Sequence, residues 1–572
     1  MQGGINVRIN GAQAVLESLK QEGVDVIFGY PGGVVLPLYD EIYKMEFPHI
    51  LVRHEQGAAL AADGYARATG EVGVCLSTSG PGCTNLVTGI ATAYMDSIPL
   101  VCFTGQVATS VIGKDSFQEA DICGITTPIT KHNYLVKRPE DLLRTIKEAF
   151  FIARTGRPGP VVVDIATDVF RAEMEFDYPE EVHLKGYSGL FKGEESTVDA
   201  ALDALLAAER PLAFIGGGVT LADEAEDLRE VLKKAGVPVC STLMGLGCVP
   251  PDTEAYLGMA GMHGSYAANM AIMGCDLLLG IGVRFDDRVT GIVKEFAPEA
   301  KIVHFDIDAA ELNKNVRVDV PVLGDLNWSL PLMAKKLAAR GAELPKRFAA
   351  WREKVAAMHK EHPFSYRERE GVIMPQQLIE TVARLMDDDT IFVTDVGQHQ
   401  MWAAQFCPVS RPRHFLTSGG LGTMGYGLPA AIGAKTGQPK KKVVLFTGDG
   451  SIMMNCQEMA TASDYGVDVK IVVVHNHLLG MVAQWQRMFY QHHYSESQLN
   501  GRTDLVKLAE AMGVSGVRIE KPEELSTVLP EALSREGMTL IDVMVPEDAD
   551  VLPMVPGGKR LDDMILEQEA AQ

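Results

Sequence analysis

The sequence predicts an α/β protein with three doubly wound parallel-sheet domains. Short apolar strands alternate with helical patterns along most of the chain, and this alternation is typical of helices that wrap a parallel sheet. The loops that follow many of these strands are rich in Gly and Pro. Because a chain of 572 residues is too long for one hydrophobic core, several domains are expected.

The alternating pattern divides into three domains and a tail. We place the domains at residues 1–172, 196–342 and 371–548, and the tail at residues 549–572. The predicted strands are Val24–Phe28, Val72–Leu76, Leu100–Phe103, Val161–Ile165, Leu212–Ile215, Val237–Cys240, Leu277–Ile281, Ile302–Phe305, Val443–Phe446 and Ile471–Val474. The stretch 172–196 is interpreted as a linker. The tail is either a flap over a site or a frayed end, and its terminal position favours the frayed end.

Composition narrows the possible classes of partner. The net charge of −23, without a basic stripe, argues against nucleic-acid binding. The N-terminus shows no signal-peptide pattern, and no apolar run reaches the length of a membrane span, so we expect no membrane association. Nine cysteines form no CxxC pair and lie mostly in apolar runs. This is typical of reduced, buried thiols and predicts a cytoplasmic protein.

One strand-to-helix turn carries the most informative motif. The strand Val443–Phe446 runs into Thr447-Gly448-Asp449-Gly450-Ser451, and the next apolar strand ends at Asn476. The two glycines leave the backbone open, and the helix that begins there directs free N–H groups at the same spot, which suits a polyphosphate. Asp449 and Asn476 offer the oxygen ligands that Mg2+ or Ca2+ prefers. The alternative is an ordinary turn in which Asp449 caps the helix.

The combination of this turn with Asn476 resembles the diphosphate and metal motif of thiamine diphosphate enzymes. The resemblance implies that Asp449, Asn476 and the backbone of Leu478 bind Mg2+. It also requires an activating glutamate after a short strand of the first domain, and Glu55 in Arg53-His54-Glu55-Gln56-Gly57 occupies that place. The implied architecture is a pyrimidine domain, a central domain and a diphosphate domain, with each active site shared between two chains.

Within that superfamily, nearly the whole chain resembles the catalytic large subunit of acetohydroxyacid synthase, also called acetolactate synthase. The matching segments, in chain order, are Tyr30-Pro31-Gly32-Gly33, Thr104-Gly105-Gln106-Val107, Phe117-Gln118-Glu119, Gly261-Met262-His263-Gly264, Arg284-Phe285-Asp286-Asp287-Arg288-Val289-Thr290-Gly291, Gly480-Met481-Val482 with Trp485, and Pro553-Met554-Val555-Pro556. The implied reaction decarboxylates pyruvate and ligates the hydroxyethyl unit to a second 2-keto acid. The products are 2-acetolactate or 2-aceto-2-hydroxybutyrate, for branched-chain amino acid biosynthesis.

The resemblance assigns roles to individual residues. Glu55 activates the aminopyrimidine, Met424 is the apolar wedge beneath the bent cofactor, and the carbonyl of Gly422 accepts its amino group. Arg288 grips the carboxylate of the second substrate, a task that suits a planar guanidinium, and Trp485 favours 2-ketobutyrate. An ordinary surface ion pair is the alternative for Arg288. The further implied active-site and cofactor-lining residues are Phe117, Gln118, Met262, Val396, Gly397, Gln398, His399, Gly448, Gly450, Ser451 and Met481.

The central domain is implied to bind FAD. Its Gly216-Gly217-Gly218 turn follows a strand and could hold a pyrophosphate, although it does not complete a GxGxxG motif. The other residues implied to contact the flavin are Arg157, His263, Gly264, Arg284, Asp286, Val289, Asp306, Ile307 and Asp325. Since the implied reaction contains no redox step, the flavin would be structural or inherited.

Two positions depart from the family pattern. Where the family has Pro-Lys-Asp, this chain has Ala166-Thr167-Asp168, and where the family has Asn-Asn, it has His475-Asn476. We expect metal binding to survive with altered surroundings. The alternatives are an FAD-dependent pyruvate oxidase, another thiamine diphosphate carboligase, or a nonenzymatic subunit that kept the fold. The implied assembly is a homodimer or a dimer of dimers, with a possible separate small regulatory subunit.

Overall fold

The structure is a computed structural model that describes residues 8–189 and 191–567. Each predicted domain contains one six-stranded parallel sheet, so the α/β prediction is confirmed. The predictions made for residues 1–7, for Leu190 and for residues 568–572 fall outside the described residues. Within the described ranges, no helix is both long enough and apolar enough to cross a membrane.

The first domain carries a sheet with strand order β3-β2-β4-β5-β7-β6. Its strands, together with the short antiparallel pair β1 and β8, are β1 (Arg8–Asn10), β2 (Ile27–Gly29), β3 (His49–Leu51), β4 (Gly73–Ser77), β5 (Leu100–Gln106), β6 (His132–Val136), β7 (Val161–Ala166) and β8 (Glu173–Glu175). Its helices are α1 (Gly11–Gln21), α2 (Leu36–Lys44), α3 (Glu55–Thr69), α4 (Pro81–Asn85), α5 (Val87–Asp96), α6 (Ile122–Thr126), α7 (Leu142–Arg154) and α8 (Thr167–Arg171).

The middle domain has strand order β11-β10-β9-β12-β13-β14. Its strands are β9 (Pro211–Ile215), β10 (Val239–Ser241), β11 (Tyr256–Met259), β12 (Leu277–Ile281), β13 (Lys301–Asp306) and β14 (Val320–Leu323). Its helices, with those of the following connection, are α9 (Glu195–Ala207), α10 (Gly217–Leu221), α11 (Ala225–Ala235), α12 (Tyr266–Gly274), α13 (Asp287–Thr290), α14 (Leu326–Arg340), α15 (Leu344–Arg347) and α16 (Ala349–Glu361).

The third domain has strand order β16-β15-β17-β18-β20-β19. Its strands are β15 (Ile391–Thr394), β16 (Phe415–Leu416), β17 (Val443–Gly448), β18 (Lys470–His475), β19 (Ser515–Ile519) and β20 (Thr539–Met544). Its helices are α17 (Pro375–Leu385), α18 (Gln398–Phe406), α19 (Gly427–Gly437), α20 (Asp449–Ile452), α21 (Glu458–Tyr465), α22 (Gly480–Phe489), α23 (Leu505–Ala511) and α24 (Glu524–Ser534).

The central strands are buried on both faces, which explains their continuous apolar runs. In β17, Val443 and Leu445 pack into one apolar cluster, whereas Val444 and Phe446 pack into another on the opposite face. Each predicted strand coincides with an observed one, and the largest shift is at Val24–Phe28, where the strand begins at Ile27. The motif-bearing loops therefore all leave the carboxyl ends of parallel strands, where α/β sheets bind ligands.

Helices α3 and α19 join the first and third domains within one chain. Both are rich in Ala and Gly, and these small residues allow the two backbones to touch. A Cβ atom at Gly64 would lie 2.2 Å from the Ala430 carbonyl oxygen, and one at Gly433 would lie 1.8 Å from that of Ala61. These distances leave no room even for a methyl group, so the pair requires glycine at both positions.

Two sequence interpretations are corrected by the fold. The predicted linker 172–196 is not wholly unstructured, because Glu173–Glu175 pairs antiparallel with Arg8–Asn10; three residues are too few for a periodic signal. The frayed end that we favoured for the tail is wrong for residues 549–567. There, Val555 is buried and its N–H donates to the Met262 carbonyl oxygen at 2.7 Å, so the tail packs on the middle domain.

Candidate functional site

The motif turn places a buried carboxylate that lacks hydrogen-bond donors between two strand ends. Strand β17 ends at Gly448, and Asp449 begins α20 directly after it. Gly448 is the capping residue, so the alternative in which Asp449 caps the helix is wrong. Neither carboxylate oxygen of Asp449 accepts a hydrogen bond from the described residues, and burial raises the pKa of its carboxyl group. A buried carboxylate without partners is costly unless a ligand completes it.

Two histidines flank Asp449 at the end of β18. The His475 Nε2 atom lies 3.5 Å from Asp449 Oδ2 and 3.1 Å from His477 Nδ1. The other ring nitrogen of His475 lies 2.7 Å from Asp542 Oδ1 on β20. From the sequence, His475 is only a departure from the family pattern, and its position between Asp449 and His477 is not predicted. The His-Asn-His spacing at a strand end is the signal that could have revealed it.

Asn476 and Leu478 lie beside this cluster and are already hydrogen-bonded. The Asn476 Oδ1 atom accepts the Leu478 N–H at 3.1 Å, and its amide donates to Gln398 Oε1 at 3.2 Å. Gln398 in turn donates to Gln484 Oε1 and to the Ala549 carbonyl oxygen. The predicted ligands Asn476 and Leu478 are therefore close to Asp449 in the fold, and their role as ligands stays a prediction.

Asp395, which sequence reasoning missed, fixes the loops above the turn. Its Oδ1 atom accepts N–H groups from Val396 and Gly425, both at 2.8 Å. Burial raises the pKa of this carboxyl group to about 6. The amide of Asn455 donates to the Gly425 carbonyl oxygen at 2.7 Å. An acid at the end of a strand, followed by Val-Gly, is the only sequence signal for this positioning role.

The motif turn packs directly beneath these loops. The Ser451 hydroxyl donates to the Val396 carbonyl oxygen at 3.0 Å. A Cβ atom at Gly448 would lie 3.0 Å from a ring nitrogen of His399, and one at Gly450 would lie 2.7 Å from Leu479. Burial lowers the pKa of His399 to about 3, so this ring is neutral. The two glycines thus permit close packing of the turn around the site.

A cavity of about 790 Å3 is lined by residues of all three domains. This volume is in the range of small-molecule and cofactor pockets. The predicted residues that line it are Arg157, Gly216, Gly217, Gly218, Met262, His263, Arg284, Asp286, Arg288, Val289, Asp306, Ile307, Asp325, Val396, Gly397, Gly422, Met424, Met481 and Trp485. Of the described candidates, those outside its lining are Glu55, Phe117, Gln118, Gly264, Gln398, His399, Gly448, Asp449, Gly450, Ser451, Asn476 and Leu478.

The middle-domain end of the cavity combines tight glycine loops with a fixed cation. A Cβ atom at Gly218 would lie 2.6 Å from the Cα of Gly282, so the loops that follow β9 and β12 touch through glycine. Arg157 donates to Glu311 Oε1 at 2.6 Å and to Asp308 Oδ2 at 3.0 Å. Burial lowers the pKa of His263 to about 4, so its ring is neutral.

Arg288 and Trp485 reach the same cavity from different domains. The Arg288 guanidinium lies 3.7 Å from Asp287 Oδ2 and its side chain is 60% exposed. It also lies 4.0 Å from the Met262 sulfur. The surface ion pair and the cavity position therefore coexist, and neither excludes substrate binding. The neighbouring Asp286 caps α13 by accepting the Arg288 N–H at 3.1 Å, and burial raises the pKa of its carboxyl group.

Three predicted residues of the first domain, Glu55, Phe117 and Gln118, lie outside the lining of this cavity. Glu55 begins α3, is buried, and accepts a hydrogen bond from the Asn85 amide at 2.9 Å. Phe117 is 88% exposed. Gln118 lies next to Gly80, because a Cβ atom added at Gly80 would lie 2.8 Å from the Gln118 carbonyl oxygen. None of the hydrogen bonds found in the described residues joins Glu55 to the third-domain loops. This separation agrees with a site shared between two chains, which stays a prediction.

Thr167, which replaces the lysine of the family pattern, forms a hydrogen bond to a neighbouring loop. Its hydroxyl donates to the Val34 carbonyl oxygen at 2.9 Å, next to the Gly-rich loop that follows β2. The adjacent Asp168 accepts the Thr109 N–H at 3.0 Å. Position 167 therefore ties two loops together in place of the cation that the resemblance led us to expect.

The comparisons with known proteins agree with this architecture. Three thiamine pyrophosphate enzyme models match the chain: the N-terminal TPP binding domain at residues 9–125, the central domain at 198–333 and the C-terminal TPP binding domain at 395–543. The chain is thus a thiamine pyrophosphate enzyme by family, and the expected thiamine diphosphate cofactor is confirmed at that level.

Curated relatives narrow the family further. The chain is 47% identical to a probable acetolactate synthase large subunit of Methanocaldococcus jannaschii, with 97% of this chain and 95% of the relative covered. It is 45% identical to the acetolactate synthase large subunit of Haemophilus influenzae, with 98% of each covered. It is 46% identical to the acetolactate synthase large subunit of Lactococcus lactis, with 97% of this chain and 96% of the relative covered. The chain belongs to the acetolactate synthase large-subunit family.

Proposed function

We propose that the protein is an acetolactate synthase. It decarboxylates pyruvate and ligates the hydroxyethyl unit to a second pyruvate or to 2-ketobutyrate, for branched-chain amino acid biosynthesis. The observation that carries the proposal is the buried Asp449 carboxylate, which lacks hydrogen-bond donors, next to a cavity lined by Met424, Arg288 and Trp485. When bound, thiamine diphosphate supplies a carbanion that adds to the keto carbon of pyruvate.

The residues of the chain bind, orient and move protons around that cofactor. Asp449 and its neighbours would hold the divalent ion, which is Mg2+ according to the resemblance, and through it the diphosphate. Met424 would pack against the cofactor, and Glu55 of a second chain would hydrogen-bond the pyrimidine and assist proton removal. The Arg288 guanidinium binds the carboxylate of the incoming 2-keto acid by charge-assisted hydrogen bonds.

Product analysis tests this proposal against its nearest rival. The purified protein is incubated with pyruvate, thiamine diphosphate and a divalent ion, with and without 2-ketobutyrate. We expect 2-acetolactate in the first case and additional 2-aceto-2-hydroxybutyrate in the second. Acetate or acetyl phosphate as the main product would instead support an FAD-dependent pyruvate oxidase.

Trp485 is proposed to set the choice of second substrate. Trp485→Leu should lower the preference for 2-ketobutyrate over pyruvate by about fivefold or more, because one lost methyl contact in a hydrophobic pocket is worth at least about 1 kcal/mol. The measurement is the ratio of the two products when both acceptors compete. Phe489→Leu is the matched control, since Phe489 is an exposed aromatic on the same helix and does not line the cavity. Equal ratios in Trp485→Leu and wild type would contradict the role.

FAD is proposed to occupy the middle-domain end of the cavity. The glycine loops, the cavity volume and the half-buried Arg157 support this proposal, and the bound flavin would be structural. Gly217 lines the cavity, and a Cβ atom there would already lie 3.1 Å from the Met244 side chain. Gly217→Val should therefore lower the flavin content of the purified protein about tenfold or more, because a branched side chain occupies space needed by the cofactor.

Flavin absorbance per chain is the measurement for that variant. Gly557→Val serves as the control, because a Cβ atom at Gly557 meets nothing within 4 Å. Thermal unfolding of both variants separates flavin loss from misfolding. Full flavin occupancy in a folded Gly217→Val protein would refute the proposed location.

We also propose a homodimer or a dimer of dimers, because Glu55 does not line the cavity and shares no hydrogen bond with the Asp449 turn among the described residues. The relatives are named as large subunits, which supports a separate small regulatory subunit. The nine free cysteines, most of them buried, support a cytoplasmic location.

A further inference from the structure

Asp449 and the two neighbouring histidines form a group of metal-binding dimensions. One donor atom from each of Asp449, His475 and His477 lies within 4.8 Å of the others. The separations of 3.5 Å between His475 and Asp449 and 3.1 Å between the two imidazoles are of the size found between ligands of one ion. Ligands about 2.1 Å from one ion are about 3.0 Å apart in an octahedral site and about 3.4 Å apart in a tetrahedral one.

Asp542 orients the His475 ring for metal binding. Its carboxylate is fully buried and lies 2.7 Å from His475 Nδ1, so in the neutral ring this nitrogen carries the proton. The Nε2 lone pair then faces Asp449 and His477. Arg518 donates to the other oxygen of Asp542 at 3.0 Å and holds the carboxylate in place. Metal-binding histidines usually have such a carboxylate partner on the nitrogen that does not bind the ion.

Asp449 has no permanent cation to balance its charge. Among the ion pairs of the described residues, its only partner is His475, and both of its oxygens lack hydrogen-bond donors. A divalent ion would supply the missing partner. Oxygen-only sites suit Mg2+, which demands near-ideal octahedral geometry, whereas imidazole nitrogen suits the first-row transition metals.

We propose that the divalent-ion site of this protein is a mixed nitrogen and oxygen site. In this site Asp449, His475 and His477 bind the ion, and they select a first-row transition metal over Mg2+. His475 is the decisive residue, because it stands where the family pattern has asparagine. The inference rests on the proposed function only insofar as the same ion contacts the diphosphate.

Metal binding tests the inference without any turnover. The full-length protein is stripped of metal, and the dissociation constants of Co2+ and Mg2+ are measured by calorimetry for wild type and for His475→Asn. We expect the preference for Co2+ to fall about tenfold or more in the variant, while Mg2+ affinity changes by less than about threefold. An unchanged preference overturns the proposal. Asn at position 475 matches the family pattern, so the variant is expected to fold.

Spectroscopy gives an independent readout of the ligands. Pulsed electron paramagnetic resonance of the Mn2+-loaded protein should show coupling to imidazole nitrogen, and His475→Asn combined with His477→Asn should abolish it. Asn tolerates the positive φ of 57° at position 477. If wild type shows no nitrogen coupling yet makes 2-acetolactate, the inference fails and the proposed function stands. If it shows the coupling and makes no 2-acetolactate, the proposed function fails and the metal site stands.

Discussion

Glu55→Gln is expected to slow exchange of the thiamine C2 proton by about 100-fold or more. General acid–base catalysis by a positioned carboxylate is worth about that much, and glutamine cannot take up and return a proton. The affinity for thiamine diphosphate should stay within a few-fold of wild type, because Glu55 lies far from the Asp449 turn in sequence and shares no hydrogen bond with it among the described residues. Hydrogen–deuterium exchange at C2, followed by NMR after acid quench, measures the rate.

The control for this variant removes a carboxylate from the first residue of a different helix. Glu524 begins α24 and is partly exposed, so Glu524→Gln loses a first-turn carboxylate without touching the site. Wild-type exchange rates in Glu524→Gln, together with slow exchange in Glu55→Gln, would isolate the catalytic role. Equal rates in all three proteins would remove Glu55 from the mechanism.

Asp449→Asn is expected to have opposite effects on ligand binding and on stability. The variant should bind the divalent ion about 100-fold or more weakly, since changes outside the coordination sphere alone cost about 10–100-fold. Diphosphate binding should fall with it. The ligand-free protein should melt at a higher temperature than wild type, because the substitution removes a buried charge that has no hydrogen-bond donors. Calorimetric titration and thermal unfolding without ligands measure the two effects.

Asp389→Asn is the matched control on the same domain. Asp389 is half-exposed and already paired with Arg411, His414 and Lys441. Its replacement should leave metal affinity unchanged and should not raise the melting temperature, because no unsatisfied charge is removed. A lower melting temperature of ligand-free Asp449→Asn would show that Asp449 stabilises the fold and would contradict its assignment as a preformed ligand.

The fold was predictable because its signal is local. The buried strands read as continuous apolar runs, and the loops after them carry Gly, Pro and the motif residues, so domain order and the Asp449 turn could be inferred from the sequence. The short strand Glu173–Glu175 and the packed tail were not predictable. Both depend on partners distant in the chain: Arg8–Asn10 for the strand, and Met262 for Val555.

Candidate site residues could be proposed from the sequence where a single residue matches a motif, and less readily where two distant residues act together; the roles proposed for them stay predictions. Resemblance led to Glu55, Arg288 and Trp485 by position, whereas Asp395 acts through hydrogen bonds to the backbone of two loops. The contact between His475 and Asp542 arises because β18 and β20 are neighbours in the sheet, although 67 positions separate the residues. A contact between residues so far apart in the chain cannot be predicted from the pattern of either segment alone.

The helix pair α3 and α19 has a consequence for how the protein tolerates change. Because a Cβ atom added at Gly64 or Gly433 would lie within 2.2 Å of a carbonyl oxygen on the facing helix, a hydrogen atom is the largest side chain that either position admits. A deep mutational scan under selection for growth without branched-chain amino acids should therefore find these two positions as intolerant as Asp449. Alanine, usually the mildest replacement in a helix, would be as damaging there as the loss of a ligand.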